Sequence, residues 1–93
     1  MRINVKCFAG CREAVGETLV AMEVPEGTNV GEAFARLVET YPILANYDKS
    51  VMLAVNRDYA GRQVVLEDGD ELACIPPVSG GRYSDYGLKL TNV

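Results

Sequence analysis

One amphipathic segment near the middle of the chain limits the possible folds more than any other feature. Between Asn29 and Pro42, six apolar residues recur at the spacing of one helical face: Val30, Ala33, Phe34, Leu37, Val38 and Tyr41. Asn29 is a favourable N-cap, and Glu32 three residues later can complete a capping box. The residue before a proline avoids the α region, so Pro42 ends the segment. The pattern predicts one helix that packs its apolar face on another layer.

Residues before this helix read as a β-hairpin. Residues 2–7 place Ile3, Val5 and Cys7 on one face and polar side chains on the other, which is the alternation of a half-buried strand. Residues 18–24 form a second β-rich run. The connection over residues 9–17 predicts either a turn-rich loop or a short helical turn.

Residues after the helix supply further strands. The apolar run 51–56 is typical of a strand near the centre of a sheet. Residues 63–66, QVVL, predict a short strand, and residues 71–75, ELACI, predict the last one. Between these two runs, the Asp68-Gly69 pair predicts a turn, with the neighbouring carboxylates serving turn chemistry. Together the segments predict a two-layer α+β domain, a small mixed sheet with one main helix across one face.

Composition excludes several classes of function. The 93 residues form at most one domain, and nine basic against thirteen acidic residues give a net charge of −4, which disfavours nucleic-acid binding. No apolar run reaches the roughly 18 residues of a membrane span. The N-terminus lacks the apolar core of a signal peptide, so we expect no membrane partner and a cytoplasmic location.

Cysteine and histidine usage argues against catalysis by the chain itself. The chain has three cysteines and no histidine, so it cannot contain a Cys-His or Ser-His pair. The cysteines, Cys7, Cys11 and Cys74, also lack the spacing of a zinc or ferredoxin site, and we expect them to be core residues. We therefore expect no bound cofactor or metal.

Residues 76–81, PPVSGG, which we call the arm, predict a rigid segment at the end of the last strand, followed by two residues without bulky side chains. Pro76 and Pro77 have no N–H and so cannot extend a strand ladder from that side. Gly80 and Gly81 have no Cβ and tolerate unusual backbone angles. Taken alone, a glycine pair is also compatible with a flexible linker.

Four stretches of the chain are distinctive in combination: FAGCREAVG (8–16), ETYP (39–42), LAVNRDYA (53–60) and DGDELACIPPVSGG (68–81). Together they resemble the MoaD family, the small sulfur-carrying subunits of molybdopterin synthase. The resemblance implies a ubiquitin-like β-grasp fold. It also implies that an adenylating enzyme of the ubiquitin-activating type uses ATP to activate the carboxylate of Gly81. Sulfur then replaces the adenylate, and the resulting thiocarboxylate acts in the active site of a MoaE-like large subunit.

A candidate partner surface follows from the strand phase. Phe8 and Ile75 fall on the face opposite the core residues of the first and last strands, which are neighbours in a β-grasp. Tyr59, in the turn after the third long strand, can join them in an apolar patch, and an apolar patch with a polar rim marks an interface. Arg12 is a candidate rim residue. The resemblance extends partner contact to the arm residues Pro76, Pro77 and Val78.

The chain continues past the expected end of the carrier. Gly81 is joined to Arg82, so residues 1–81 are assigned to the carrier domain and residues 82–93 to an extension. Three explanations stay open: a precursor cleaved after Gly81, the start of a fused MoaE-like segment, or a permanent extension on a relative that carries no sulfur. Alternative functions are a carrier or modifier for thiamin synthesis, tRNA thiolation or protein conjugation, and a non-catalytic interaction domain.

Overall fold

The structure, a computed structural model, describes residues 1–76. In this part the chain forms β1 (Arg2–Cys7), α1 (Ala9–Val15), β2 (Leu19–Glu23), α2 (Val30–Thr40), a 3₁₀ helix (Pro42–Tyr47), β3 (Met52–Val55), β4 (Asp58–Tyr59) and β5 (Glu71–Ile75). None of these helices is long and apolar enough to cross a membrane.

The described strands form one mixed sheet in the order β2-β1-β5-β3-β4. Strands β1 and β5 are parallel neighbours, whereas the pairs β1–β2, β3–β5 and β3–β4 are antiparallel. The hairpin predicted for the N-terminal residues is confirmed, and so is the adjacency of the first and last strands. The centre of the sheet is thus built from the two ends of the described chain.

Helix α2 begins and ends where the sequence predicts. The backbone N–H of Glu32 donates to Oδ1 of Asn29 at 2.8 Å, and the backbone N–H of Asn29 donates to Oε1 of Glu32 at 2.9 Å. This reciprocal pair satisfies two backbone donors that a helix start otherwise leaves unbonded. Val30, Ala33, Phe34 and Leu37 are buried, so the predicted apolar face is the one that packs on the sheet.

The main core lies between the helices and one face of the sheet. Its buried members alternate along β1 and β5, as period-two packing requires, because successive side chains of a strand point to opposite faces. Phe34 is its largest fully buried side chain. Burial of such a side chain stabilises the fold by roughly 1.5–3 kcal/mol.

The connection between β1 and β2 contains a helix. Residues Ala9–Val15 form α1, which ends at Gly16 in the left-handed conformation with φ of 89°. Gly10 lies under the ring of Tyr47, and a Cβ at this position would collide with the tyrosine hydroxyl. A larger residue at position 10 would therefore displace the end of the Tyr47 side chain from its contact with α1.

Two features of the second half differ from the sequence prediction. The 3₁₀ helix after Pro42 was not expected, and it buries Leu44. The predicted strand at residues 63–66 is wrong, since this segment makes only an isolated bridge between Val65 and Asn29. The additional short strand is β4 instead, reached from β3 by the two-residue turn of Asn56 and Arg57.

The Asn56-Arg57 turn has a positive φ at both of its central residues. The φ values are 50° for Asn56 and 74° for Arg57, which is the arrangement that fits the twist of a two-residue hairpin. Asn56 also ties the hairpin to β5, because its Nδ2 donates to Oδ1 of Asp70 at 2.9 Å and its Oδ1 accepts from the backbone N–H of Glu71 at 3.0 Å.

Candidate functional site

The sheet face that points away from the helices carries a second apolar cluster. Ala54, Ala73 and Ile75 are its buried members, and Phe8 and Met52 pack against them. Tyr59 shares this face, because it lies directly opposite Ala54 in the β3–β4 ladder. We call these six residues the outer-face patch.

Strand register brings the patch together from distant parts of the chain. Ala73 on β5 is paired with Lys6 on β1 and with Ala54 on β3. The neighbouring row pairs Ile75 with Met52. Since directly paired residues present their side chains to the same face, the patch crosses four adjacent strands.

Phe8 reaches this face because the chain stays extended for one residue beyond β1. Its φ and ψ are −119° and 149°, and its backbone N–H donates to the carbonyl of Cys74 at 3.2 Å. Ala9 then adopts a φ of 45°, which turns the chain into α1. The Nζ of Lys6 lies 5.4 Å from the centre of the Phe8 ring, within the range of a cation–π contact.

The predicted patch residues differ in exposure. Phe8 and Ile75 lie together as predicted, but Phe8 is half-buried and Ile75 is 0% exposed. Tyr59 is 48% exposed and lies in β4, not in a turn. The accessible apolar surface is therefore supplied by Tyr59, with contributions from the half-buried Phe8 and Met52.

The other predicted contact residues are placed as follows. Arg12 is exposed, and it belongs to helix α1 and not to a loop. Pro76 follows β5 directly and is buried. Pro77, Val78, Gly80 and Gly81 lie outside the described residues.

Sequence reasoning missed two members of the patch, Met52 and Ala54, and it placed Ala73 on the face of Ile75 without assigning it to the patch. Residues 51–56 were read as an apolar run without phase, yet the alternation of Met52 and Ala54 with Leu53 and Val55 was available as a signal. Lys6 was also missed as a neighbour of Phe8, although side chains two residues apart in a strand share a face.

The three thiols are unreactive because they are buried in the core. Burial raises the pKa of Cys7 from 9.0 to about 11. The pKa of Cys11 is raised to about 12, mainly by burial and to a smaller extent by the neighbouring Cys7. Burial likewise raises the pKa of Cys74 well above 9.0. The thiolate is the nucleophilic form of cysteine, so these residues are core packing, as predicted.

The carboxylates beside Gly69 organise a turn, as predicted. Oδ1 of Asp68 accepts from the backbone N–H of Arg2 at 2.8 Å, and Oδ2 of Asp70 accepts from the backbone N–H of Glu67 at 2.8 Å. Gly69 itself has a φ of 88°. Within residues 1–76, no group of three or more potential ligand side chains is arranged to hold a metal ion.

Comparison with known proteins gives a consistent family. The profile of the ThiS family matches residues 5–81. The molybdopterin synthase sulfur carrier subunit of Mycobacterium tuberculosis is 43% identical over 82 residues, covering 87% of this chain and 99% of that protein. The protein of the same name from Chlamydomonas reinhardtii is 36% identical over 83 residues, covering 87% of this chain and 100% of that protein.

The chain belongs to the ThiS family. Within it, these relatives group the chain with the molybdopterin synthase sulfur carrier subunits, so the resemblance to the MoaD family is confirmed.

The fold of this family member is that of a ubiquitin-like β-grasp, as expected. The crystal structure of SAMP1 from Haloferax volcanii superposes with a TM-score of 0.78 at 31% identity, covering 87% of this chain and all of that one. Another crystal structure, of the small archaeal modifier protein 1 of the same organism, gives a TM-score of 0.74 at 28% identity, covering 83% of this chain and 98% of that one.

Proposed function

We propose that this chain carries sulfur for molybdopterin synthesis, as the small, non-catalytic subunit of a molybdopterin synthase. The observation that carries the proposal is the match with the sulfur carrier subunit of M. tuberculosis, which spans nearly all of that protein. The family match also ends at Gly81, the second residue of the glycine pair, which supports the assignment of residues 82–93 to an extension.

In the proposed reaction sequence, Gly81 is the reacting residue. One of its carboxylate oxygens attacks the α-phosphate of ATP on a ubiquitin-activating-type enzyme, and pyrophosphate leaves. A hydrosulfide equivalent then attacks the carbonyl carbon of the acyl adenylate, forming a C–S bond as AMP departs with the electrons of the C–O bond. The thiocarboxylate so formed delivers its sulfur in the active site of a MoaE-like large subunit.

In this proposal the domain holds the arm and presents a docking surface. The three thiols are buried in the core, and burial raises the pKa of Cys7 and Cys11, so the proposal assigns the sulfur to the chain end and not to a cysteine. The outer-face patch lies at the end of β5, the strand that leads into the arm, and its accessible side chains Phe8 and Tyr59 are assigned to partner contact. Arg12 is assigned to the rim of the same contact, and Pro76, Pro77 and Val78 to the arm as it enters the partner.

A free Gly81 carboxylate requires that the bond to Arg82 be broken, because an amide carbonyl offers no carboxylate oxygen to ATP. We therefore propose release of residues 82–93 before activation. Fusion to a MoaE-like segment and a permanent extension without sulfur transfer remain the alternatives.

Intact mass spectrometry tests the proposal. Three chains are incubated with the adenylating enzyme, Mg-ATP and sulfide: residues 1–81, the complete 93 residues, and residues 1–80 as the matched control. We expect only the chain ending at Gly81 to gain the mass of one oxygen-to-sulfur exchange. If that chain stays unmodified while the enzyme is active on a known carrier, the proposal fails.

A second candidate function is protein conjugation, and the likeness to small archaeal modifier protein 1 supports it. A modifier uses the same activated glycine but transfers it to an amine. Incubation of the chain ending at Gly81 with ATP, the adenylating enzyme and a cell extract distinguishes the two. Isopeptide-linked products favour a modifier, whereas thiocarboxylate without conjugates favours the carrier.

A further inference from the structure

A groove of about 380 Å³ lies beside β4, outside the outer-face patch apart from the shared Tyr59. We call it the β4 groove. Its lining combines the β3–β4 hairpin with the segment around residues 64–67, and it consists of Val55, Asn56, Asp58, Tyr59, Ala60, Val64, Val65, Glu67 and Asp70. Three of these, Tyr59, Val64 and Val65, are large apolar side chains exposed at 48%, 38% and 59%.

The backbone of the 64–67 segment is fixed, which leaves its valines facing outward. The carbonyl of Val64 accepts from the N–H of Val30 at 2.8 Å, and the N–H of Leu66 donates to the carbonyl of Thr28 at 2.9 Å. Leu66 is the residue of this segment that enters the core. The groove is therefore a preformed apolar surface, and binding to it requires little ordering of the chain.

The rim of the groove is acidic. Asp58, Glu67 and Asp70 line it, and its lining within residues 1–76 includes no lysine or arginine. The Asp70 carboxylate already accepts hydrogen bonds from Nδ2 of Asn56 and from the backbone N–H of Glu67. Asp58 and Glu67 have no ion-pair partner in the part of the chain that the structure describes. Their negative potential favours a cationic ligand.

The sheet edge at this groove favours an extended ligand. The N–H of Ala60 donates to the carbonyl of Leu53 at 2.9 Å, so the adjacent pair of Tyr59 and Ala54 is the non-hydrogen-bonded type. The backbone N–H and carbonyl of Tyr59 consequently point away from β3, at an edge that no described strand covers. An extended segment can bond to such an edge by strand addition.

A larger groove lacks these properties. It has about 550 Å³ and lies between the Pro25–Gly27 turn and the exposed side of α2. None of the large exposed apolar side chains lines it, and Arg36 offsets part of the charge of its three glutamates. It has neither an apolar floor nor a rim of one charge sign.

We propose that the β4 groove binds an extended segment of a partner protein, in which valine-like or aromatic side chains alternate with lysine or arginine. The apolar side chains pack against Tyr59, Val64 and Val65, while the cationic ones meet Asp58 and Glu67. The contacts that support this proposal do not depend on the sulfur-carrier reaction. Failure of either proposal would therefore leave the other untouched.

A peptide titration tests this assignment. The probe is a capped pentapeptide, Lys-Val-Lys-Val-Lys, and its acidic counterpart is Glu-Val-Glu-Val-Glu. In ¹⁵N-correlation spectra of the full chain, we expect saturable shifts of the Tyr59, Val64 and Val65 amides with the basic peptide only. Raised salt should weaken binding, because exposed charges are screened.

Variants separate the apolar and the charged contributions. Val65→Asp should weaken binding at least about tenfold, since it places a carboxylate on the apolar floor. Glu67→Lys should weaken it up to about fivefold, as expected for one exposed charge, and the double variant Asp58→Lys, Glu67→Lys should bind the acidic peptide instead. Ile43→Asp, at a side chain 62% exposed on the 3₁₀ helix and not among the residues that line the groove, is the control and should bind like the parent chain.

Four results would overturn the proposal. One is equal binding of both peptides, and another is no saturable binding of either. A third is a loss of binding in Ile43→Asp as large as in Val65→Asp. The fourth is concentration-dependent shifts of the groove residues without peptide, which would assign the groove to a second copy of this chain.

Discussion

The buried thiols predict how the stability of this domain depends on alkaline pH. In the unfolded chain a cysteine ionises near its ordinary pKa of 9.0, whereas the folded protein holds Cys7 protonated to about pH 11. Between these values the folded state binds more protons than the unfolded state, so the free energy of unfolding decreases as pH rises. It stops decreasing once pH passes the folded pKa.

The size of this effect follows from the two pKa values. Full linkage of one proton changes the free energy of unfolding by about 1.4 kcal/mol per pH unit. Integrated from about pH 8 to about pH 10, a thiol shifted as far as Cys7 lowers it by about 1.3 kcal/mol. Cys11, shifted to about 12, contributes nearly the same, and Cys74 acts in the same direction. The loss is large beside a total stability of roughly 5–15 kcal/mol.

Urea unfolding followed by circular dichroism measures this loss, with a phosphine reductant present throughout. Between pH 8 and pH 10, Cys7→Ala should lose about 1.3 kcal/mol less than the parent chain, because it lacks one linked proton. Val5→Ala, in the same strand and equally buried, is the matched control. It should be less stable at both pH values yet show the pH dependence of the parent.

The reasoning is refuted if Cys7→Ala and the parent chain lose the same free energy between pH 8 and pH 10. It is also refuted if Val5→Ala changes the pH dependence as much as Cys7→Ala does. In the second case destabilisation by itself, and not loss of a titrating thiol, would explain the effect.

Three further changes have predictable outcomes. Asn29→Ala removes the capping box of α2 and should lower the free energy of unfolding by about 1 kcal/mol in urea denaturation, whereas Asn29→Ser should retain most of it. Arg57→Gly should raise it by up to about 1 kcal/mol, because glycine adopts the φ of 74° found there without steric cost; a lower midpoint would contradict this. Phe8→Asp should weaken binding of the adenylating enzyme at least about tenfold by calorimetry, at a temperature where circular dichroism shows the variant folded, and unchanged affinity would remove Phe8 from the interface.

Helix α2 could be predicted closely because its determinants are local. The capping pair, the apolar spacing and the proline that ends the helix all lie between Asn29 and Pro42. The α+β class followed from the same periodicities, since a helix with one apolar face beside alternating strands needs a second layer to cover it.

Local propensity predicted the wrong strand in the region between β3 and β5. The QVVL segment has strong β-propensity, but its backbone bonds to the start of α2 and to neither neighbouring strand. Strand β4, only two residues long, exists because the Asn56-Arg57 turn folds the chain back on β3. Propensity could not distinguish these outcomes, because strand formation depends on which partner the segment reaches.

The candidate site was also predicted in part from local sequence, while the rest depended on the tertiary structure. Strand phase alone put Phe8 and Ile75 on the face opposite the core, and the sequence resemblance marked the glycine pair. Only the folded sheet showed that Ile75 is fully buried, that Ala54 and Ala73 lie between it and Tyr59, and that Lys6 covers the Phe8 ring. The physical reason is range: periodicity within a segment decides which side chains share a face, whereas register between strands distant in sequence decides which of them meet and which stay exposed.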